Sequence, residues 1–261
     1  MPTRFRLATY NLLAPEHVSA PADRPDAYAN VRQLLRWNVR MPRLVERIRD
    51  LHADVLCLQE VSRLHVSRLF GDKLERLGYA LLLGDRPADR VDTVALLART
   101  PRVRVLSRHD FSLPGESNKV AVVARLEVDR QPLFVASLHL SWTADGRSQT
   151  DQLTAFLRTI DPFDAIPFVA AGDLNLDVRR WPVWSEVASR RFSAAHPPGV
   201  PTWAAGGRAG RLDDILVRGV EVVDPLPIPP LGQRLELPNE VEPSDHVPLC
   251  ADLAFRDQLS P

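Results

Sequence analysis

The sequence has few cysteines and few lysines, and it carries no net charge. Cys57 and Cys250 are the only cysteines in 261 residues, and both lie in apolar, strand-like runs, so we expect buried free thiols. The absence of clustered cysteines also argues against a structural zinc site. The 33 basic residues balance 33 acidic ones, and only Lys73 and Lys119 are lysines. Because no global field recruits a polyanion or an anionic membrane, a phosphate-rich substrate must be held by a local patch.

The chain also lacks the signatures of several large protein classes. No apolar run approaches a membrane span, and MPTRFRLATYNLL has no apolar signal-peptide core, so we expect no membrane association and a cytoplasmic location. Neither a GxxxxGK[ST] loop nor a GxSxG elbow occurs, which leaves P-loop transfer and α/β-hydrolase chemistry unsupported. A hydrophobic content of 45% and a charged content of 25% are typical of a globule with a sizeable core. We expect one domain over residues 1–261, acting as a monomer.

Apolar strand-like runs and amphipathic helical segments make up most of the sequence. A helix is predicted to open at Pro42, because proline costs little in a first turn, with Leu44, Ile48 and Leu51 on one face. A second helix is predicted from about Ser148. The predicted strands are Phe5–Leu13, Asp54–Val61, Thr93–Arg99, Val120–Val128, Leu133–Leu140, Pro167–Gly172, Leu212–Val217 and Val247–Leu253. Since strands outnumber helices and several are close enough in sequence for hairpins, we predict helices that cover the outside of two packed sheets.

Polar side chains occur at the ends of these strands. They are Asn11, Glu60, His139, Asp173, Asn175, the pair Asp213–Asp214 and the pair Asp245–His246. Each alone has an ordinary structural explanation: Glu60 as a solvated strand end, Asp173 as a turn residue, and His139 as a half-buried histidine. The whole set, however, is complete for metal-assisted phosphoester hydrolysis. Mg²⁺ prefers hard oxygen ligands and keeps several waters, so one or two carboxylates suffice, and Glu60 is the best candidate.

Six motifs occur in a fixed order and carry a family resemblance. TYNLL, DVLCLQEV, SLHL, GDLN, RLDDILV and SDHVPL together resemble the endonuclease/exonuclease/phosphatase superfamily of Mg²⁺-dependent phosphoesterases, from Thr9 to about Leu253. The stretch LLRWNVRMPRLVERIRDLHADVLCLQEV is particularly similar to the deadenylase and nocturnin-like branch. PTW before RLDD is similar to a wider set that includes tyrosyl-DNA phosphodiesterases. The resemblance implies a four-layer α/β sandwich, with two packed mixed β-sheets flanked by helices.

The resemblance also implies a metal site. Glu60 would bind the catalytic Mg²⁺, for which Mn²⁺ could substitute. Asn11 would lie beside it and orient a metal-bound water or the phosphate. Asp245 would complete the metal or water network.

The same resemblance implies the catalytic residues. Asp173 would polarise the attacking water, and Asn175 would hold the phosphate or that water. His139 would contact a phosphate oxygen. His246 would stabilise the pentavalent phosphorus, and Asp213 would hold its other ring nitrogen and fix its tautomer.

Two positions depart from the family pattern. Asp214 stands where the family usually has an aromatic residue. Because side chains alternate along a strand, Asp213 and Asp214 must point to opposite faces, so only one can serve His246, and alignment of the motif selects Asp213. Asp92 precedes Thr93 where many members have a glycine, which leaves the role of Asp92 open.

Four further residues are candidate substrate contacts. Asn118 and Lys119 precede a predicted strand. Trp203 could stack on a base or sugar, or equally pack a loop. Arg179, beside Arg180, could flank a phosphate groove, although a solvated surface pair is the simpler explanation.

The resemblance favours a Mg²⁺-dependent phosphoesterase acting on nucleic acid. The first expectation is RNA 3′ ends, as a deadenylase-like exoribonuclease or in RNA end processing. The alternative is a phosphatase or phosphodiesterase on a small nucleotide, a sugar phosphate or a phospholipid headgroup, which neutral net charge fits slightly better. A DNA-repair nuclease and a non-catalytic binding module are the remaining alternatives. The intact Glu60, Asp173 and His246 argue against loss of catalysis.

Overall fold

The chain forms two six-stranded sheets and a small hairpin. The computed structural model describes residues 2–18, 33–66, 71–87, 89–115, 118–231 and 237–256. The strands are β1 Arg4–Asn11, β2 Val55–Ser62, β3 Tyr79–Leu83, β4 Asp92–Arg99, β5 Val103–Ser112, β6 Val120–Val128, β7 Gln131–His139, β8 Phe168–Asp173, β9 Ser193–Ala194, β10 Trp203–Ala205, β11 Arg208–Gly210, β12 Asp213–Arg218, β13 Val220–Pro225 and β14 Leu249–Phe255. One sheet has the order β13-β14-β1-β2-β4-β3 and the other β5-β6-β7-β8-β12-β9, while β10 pairs with β11.

Both sheets are mixed, and their parallel pairs bring residues of several motifs to one end. β1 runs parallel to β2 with Asn11 opposite Gln59, and β7 runs parallel to β8 with His139 opposite Asp173. β12 runs antiparallel to β8, so Asp213, its first residue, also lies opposite Asp173. A hydrogen bond from the Asn11 amide to Asp173 joins the two sheets here. Strand ends from both sheets therefore meet at one edge of the sandwich.

An apolar core fills the space between the sheets. It includes Leu7 and Leu96 from the first sheet and Val122, Val135 and Ile215 from the second. Their neighbours along each strand face the other way, because side chains alternate between the two faces of a strand. Each sheet thus presents a second apolar face, and that face requires its own cover.

Helices cover these outer faces. They are α1 Pro15–Val18, α2 Trp37–Asp50, α3 Arg63–His65, α4 Gly71–Arg76, α5 Arg147–Thr159 and α6 Val183–Ser189. Leu44 and Ile48 of α2 pack on the outer face of the first sheet, whereas Phe156 of α5 and Val187 of α6 pack on that of the second. The resulting order of helix, sheet, sheet and helix confirms the four-layer α/β sandwich.

Gly172 allows β8 to lie directly against β7. A Cβ atom at this position would lie 1.9 Å from the carbonyl oxygen of Leu138, the residue opposite it in the parallel ladder. No side chain fits in that space, so only glycine permits this close approach. The contact lies one residue before His139 on β7 and one residue before Asp173 on β8.

The predicted strands are confirmed, and every one of them is an interior strand of a sheet. The prediction missed β3, β5, β9 and β13, which are the edges of the two sheets. Edge strands expose much of their surface, and β5 alternates only weakly between buried and exposed residues. The last strand begins at Leu249, directly after Pro248, as the lack of an N–H group on proline requires.

The first long helix begins earlier than predicted. α2 starts at Trp37, and Pro42 lies inside it instead of opening it. A proline at this position removes one hydrogen bond of the helix ladder, but Met41, Leu44 and Ile48 bury the face beside it. No side chain caps the helix at Arg36, so the sequence has no capping signal at the true start.

Two expectations about composition also have structural counterparts. Cys57 and Cys250 are buried free thiols, as predicted. Among the described residues, no helix has both the length and the hydropathy needed to cross a bilayer.

Candidate active site

Asp173 lies at the centre of the polar side chains that the strand ends bring together. Its Oδ2 atom accepts a hydrogen bond of 2.9 Å from the Asn11 amide, and its Oδ1 atom accepts one of 2.9 Å from the Asn175 backbone N–H. The same Oδ2 atom lies 3.6 Å from His139 Nε2 and 3.8 Å from His246 Nε2. Burial and the nearby Asp213 carboxylate outweigh these donors and raise the pKa of Asp173 to about 7.

Asp213 and His246 form a buried pair beside it. His246 Nδ1 lies 2.8 Å from Asp213 Oδ2, which leaves Nε2 to face Asp173. Ser244 Oγ accepts a hydrogen bond of 3.3 Å from the His246 backbone N–H, and Thr202 Oγ1 accepts one of 3.1 Å from that of Asp213. Burial opposes protonation of His246, but the Asp213 and Asp173 carboxylates raise its pKa well above the ordinary value. The imidazole is therefore a fixed donor pointing at Asp173.

Asp214 points to the opposite face of β12. Its Oδ1 atom accepts a hydrogen bond of 3.0 Å from Arg211 Nη2, and its Oδ2 atom lies 3.8 Å from Arg179 Nη2. Arg179 also donates a hydrogen bond of 2.7 Å to the His196 carbonyl. The predicted phosphate contact of Arg179 is not supported by this position, because its guanidinium stays with Asp214 behind the strand.

Glu60 is aimed by an irregularity in β2. The pairing of β2 with β4 shifts register between Leu58 and Val61, and Glu60 adopts a left-handed φ of 52°, which is rare for a residue with a long side chain. Its Oε2 atom accepts a hydrogen bond of 3.0 Å from the Ala14 backbone N–H and lies 2.7 Å from His17 Nδ1. Burial would raise the pKa of Glu60, but the nearby His17 charge keeps it well below the usual value.

Asn11 holds two carboxylates through its side-chain amide. Its Oδ1 atom accepts a hydrogen bond of 2.9 Å from the Leu13 backbone N–H. The amide nitrogen donates to Glu60 Oε1 at 3.1 Å and to Asp173 at 2.9 Å. The Asn11 amide nitrogen thus bridges the two acids, and its carbonyl oxygen accepts a backbone hydrogen bond.

Lys119 and His139 form a second polar pair at the site. Lys119 Nζ lies 3.0 Å from His139 Nδ1 and 3.2 Å from Nε2. Burial and the Lys119 ammonium lower the pKa of His139 to about 3, so its imidazole is neutral. Burial also lowers the pKa of Lys119. Asn118, which precedes the lysine, has an exposed side chain and a left-handed φ of 49°.

Asp245 and Trp203 contact each other beside His246. The Trp203 indole donates a hydrogen bond of 3.0 Å to Asp245 Oδ2, and the backbone of Trp203 bridges to His246. Asn175, on the other side, donates from its amide to the Leu140 carbonyl at 2.8 Å. Trp203 is half-buried, so its indole N–H is engaged while part of the ring is exposed.

The sequence reasoning missed two residues at this end of the molecule. His17 contacts Glu60 and lies 3.7 Å from Asp92 Oδ1 through its Nε2 atom. Burial lowers the pKa of His17, but the Glu60 and Asp92 carboxylates raise it to about 10. Trp142 is 60% exposed and lies three residues after His139. A large aromatic in the polar loop SWTADG was a signal for it, whereas no pattern marked His17.

The loop that carries Trp142 is held on both sides by α5. Gln152 Oε1 accepts a hydrogen bond of 2.7 Å from the Ser141 backbone N–H. Gln149 Oε1 accepts one of 2.8 Å from the Thr143 hydroxyl. Both glutamines are buried, so the exposed indole stands on a loop that α5 holds, three residues after His139.

The donor chemistry of the site fits a divalent cation. Asp173, Asp213 and His246 offer ligand atoms within 4.8 Å of one another, and Glu60 adds a carboxylate through its contact with Asn11. Buried carboxylates in this number require positive charge nearby, and hard oxygen donors suit Mg²⁺. Burial, with the neighbouring Asp213 carboxylate, raises the pKa of Asp173.

Comparisons with known proteins agree with this geometry. The chain is 25% identical to human Protein angel homolog 1 over 232 residues, which covers 78% of this chain and 33% of that protein. It is 26% identical to Nocturnin from Xenopus laevis over 295 residues, covering 98% and 74% respectively. The chain thus spans about a third of the length of the Angel relatives that it matches.

Solved structures share the fold. A crystal structure of ANGEL2, described as a 2′,3′-cyclic phosphatase in complex with adenosine-2′,3′-vanadate, superposes with a TM-score of 0.82 at 21% identity, over 97% of this chain and 96% of that one. The human Nocturnin catalytic domain with bound sulfate gives a TM-score of 0.73 at 24% identity, over 98% and 94%. The model of the Endonuclease/Exonuclease/phosphatase family matches residues 8–246. The chain therefore belongs to this family of hydrolytic phosphoesterases and nucleases.

Proposed function

We propose that this protein hydrolyses phosphoester bonds at RNA 3′ ends with Mg²⁺ bound at Glu60, and that residues 1–261 act as one catalytic domain. The observation that carries the proposal is the line of contacts from Asp213 through His246 to Asp173. It places a basic group, Asp173, beside an oriented proton donor, His246. The similarity to Angel proteins and Nocturnin supports the choice of RNA or nucleotide substrates.

Each residue of this line has a distinct task. Asp173, with a pKa of about 7, is basic enough near neutral pH to accept a proton from the attacking water. His246 donates from Nε2 to a phosphoryl oxygen, and Asp213 orients the ring and stabilises its positive charge. Glu60 would hold the cation, which when bound would supply Lewis-acid stabilisation of the phosphoryl charge.

The other pair would hold the phosphate. Lys119 and His139 present an ammonium and a neutral imidazole together, and both can donate to a phosphate oxygen. Their presence supplies the local positive patch that a neutral chain needs for an anionic substrate. Asn118, exposed beside them, would contact the adjacent sugar or base, and Trp203 would stack with its exposed part.

Two reactions at an RNA 3′ end deserve separate tests. One is removal of nucleotides from the end, as the deadenylase-like motifs suggest. The other is hydrolysis of a terminal 2′,3′-cyclic phosphate, and ANGEL2 is named a 2′,3′-cyclic phosphatase. Both need a water activated by Asp173 and a stabilised phosphorane, so the same residues serve either reaction.

A substrate panel tests the proposal. Single-stranded RNA with a 3′ hydroxyl, RNA with a 2′,3′-cyclic phosphate, DNA, dinucleotide cofactors and sugar phosphates are each incubated with Mg²⁺, Mn²⁺ or EDTA. We expect EDTA-sensitive turnover of an RNA end, lost in Asp173→Asn. Turnover of a small phosphoester alone would replace RNA as the substrate, and full activity in EDTA would refute the metal-dependent mechanism.

A further inference from the structure

A cavity lies at the end of the sandwich opposite the catalytic residues. Its volume is about 440 Å³, which is within the range of small-molecule sites. Residues at the start of β7 and at the ends of β12 and β14 line it. Arg218, the last residue of β12, lies opposite Phe168, the first residue of β8. Asp173 is at the other end of β8, about 17 Å away at the rise of a strand, so the cavity is separate from the active site.

Positive charges outnumber negative ones among the residues that line this cavity. Arg191, Arg218 and Arg256 line it, together with one acid, Asp164. Asp164 Oδ2 lies 4.0 Å from Arg191 Nη2, so this acid is already beside one of the three arginines. The chain as a whole has no net charge, and the cavity is therefore a local concentration of positive charge.

Arg218 is buried in the wall of the cavity. The residue is only 5% exposed, and its guanidinium lies over two aromatic rings, 4.8 Å from the centroid of Phe192 and 5.6 Å from that of Phe168. Its Nη2 atom donates a hydrogen bond of 3.2 Å to the Phe163 carbonyl. Within the part of the chain that the structure describes, its Nε atom is buried without a hydrogen-bond partner.

The acids that act on the Arg218 charge pair with other arginines. Burial and the Arg191 charge lower the pKa of Arg218, and the carboxylates of Asp164 and Asp161 oppose this change. Asp161 Oδ1, however, lies 2.8 Å from Arg190 Nε, and Asp164 is beside Arg191. A buried charge is costly unless an opposite charge compensates it. The Arg218 guanidinium therefore indicates that an anion enters the cavity.

We propose that this cavity binds a phosphate group through Arg218 and Arg191. Guanidinium groups bind phosphate oxygens through pairs of parallel hydrogen bonds, and several arginines match a phosphate monoester better than the single charge of a carboxylate. The cavity is larger than a phosphate, and its apolar wall, which includes Ile166 and Phe255, leaves room for the rest of a nucleotide. The phosphate comes from a mononucleotide or from the RNA backbone. The inference is independent of the proposed function, because the cavity contains none of the catalytic residues.

The test measures phosphate binding directly, without turnover. Inorganic phosphate and adenosine monophosphate are each titrated into the full chain in EDTA and followed by calorimetry. Arg191→Gln should weaken binding about tenfold or more, the scale of losing one hydrogen bond to a charged group. The Arg191 side chain is 72% exposed, so this variant should fold. Arg49→Gln removes an exposed arginine that pairs with Asp50 on α2, outside the first sheet, and should leave phosphate binding unchanged.

Arg218→Met replaces the guanidinium with an apolar side chain. Phosphate should raise the unfolding temperature of the wild type and should no longer raise that of this variant. The response to phosphate is the measurement, because loss of the two ring contacts changes stability whatever the cavity binds. If Arg218→Met does not fold, Arg191→Gln decides the test by calorimetry alone.

A variant of the active site separates the two places where phosphate can bind. Lys119→Met should leave the binding that Arg191→Gln weakens unchanged. If phosphate binding is lost in Lys119→Met and equals that of the wild type in the cavity variants, the phosphate binds at the active site and the inference is overturned. A wild type that binds neither phosphate nor adenosine monophosphate overturns it as well.

A short oligoadenylate identifies the source of the phosphate. If it binds more tightly than adenosine monophosphate, and Arg191→Gln removes this difference, the RNA backbone reaches the cavity. If the two ligands bind equally and both are weakened in Arg191→Gln, the cavity is a mononucleotide site. Either result supports a phosphate site at this end of the molecule, whereas equal affinities of Arg191→Gln and the wild type for both ligands would refute it.

Discussion

Replacing Asp213 with asparagine removes a negative charge 2.8 Å from His246 Nδ1 and leaves the shape of the side chain almost unchanged. Both side chains are buried, and a hydrogen bond to a charged group contributes about 1.5–3 kcal/mol in such a setting. At about 1.4 kcal/mol per factor of ten, this alone lowers the rate by roughly 10- to 100-fold if it is lost from the transition state. An asparagine can also present its amide N–H to the ring and favour the wrong tautomer.

We therefore expect Asp213→Asn to lower kcat about 100-fold or more, on the scale seen for orienting acids. The assay is steady-state cleavage of the RNA end identified by the substrate panel, with thermal unfolding measured in parallel. The double variant Asp213→Asn, His246→Ala should be little slower than His246→Ala, because residues that act as a unit are not additive. Nitrogen chemical shifts of His246 would report the change of tautomer independently of turnover.

Asp214→Asn is the matched control on the same strand. Its carboxylate pairs with Arg211 and Arg179, so the variant loses a buried charge from an ion cluster. Removing one partner of such a pair typically costs about 3–5 kcal/mol of stability. We expect a lower unfolding temperature with kcat of the folded protein nearly unchanged. If Asp214→Asn were inactive and Asp213→Asn active, the assignment of the orienting carboxylate would be wrong.

Three other perturbations have defined outcomes. Glu60→Gln should abolish most turnover at ordinary Mg²⁺ concentrations while the unfolding temperature is retained, and a variant with wild-type kcat at limiting Mg²⁺ would contradict the metal role of Glu60. Burial raises the pKa of Glu242 to about 7, so the folded chain keeps a proton that the unfolded chain, with a carboxyl pKa of 4.5, loses. The free energy of unfolding should therefore fall as pH rises from about 4.5 to about 7. In Glu242→Gln the free energy of unfolding should change less over this pH range. An unchanged slope in the variant would show that Glu242 is ionised in the folded protein. Trp142→Ala should raise KM for single-stranded RNA by a factor that corresponds to about 1–3 kcal/mol of lost stacking, with kcat little changed. Trp142→Phe should restore part of the lost affinity. Equal KM values in the wild type and both variants would exclude a stacking role.

The sequence pattern was sufficient for the interior of each sheet and insufficient for the edges. β1, β2, β7 and β8 are buried on both faces, so they appear as nearly continuous apolar runs. The edge strand β5 has mostly half-buried or exposed residues, and its pattern is hard to distinguish from that of a loop. The start of α2 was missed for a related reason, because Arg36 provides no capping side chain.

Motif order predicted which residues lie together at the site but not which hydrogen bonds their side chains make. Asp213 and His246 come together because strand alternation and register leave one arrangement for them. The orientation of the Asn11 amide depends on the Leu13 backbone N–H, which no motif encodes. The Arg179 guanidinium lies near Asp214, on the face of β12 opposite Asp213, and the path of the chain that brings it there is a property of tertiary packing.

The close approach of β7 and β8 at Gly172 has a consequence for how the site tolerates change. The distance between His139 and Asp173 is set by the direct contact of two backbones. It therefore does not depend on the packing of flexible side chains. Neighbouring core positions can accumulate substitutions without altering this spacing. A single methyl group at Gly172 would instead push β7 and β8 apart, because its Cβ atom would lie 1.9 Å from the Leu138 carbonyl oxygen. The spacing of His139 and Asp173 thus depends on the absence of a Cβ atom at residue 172.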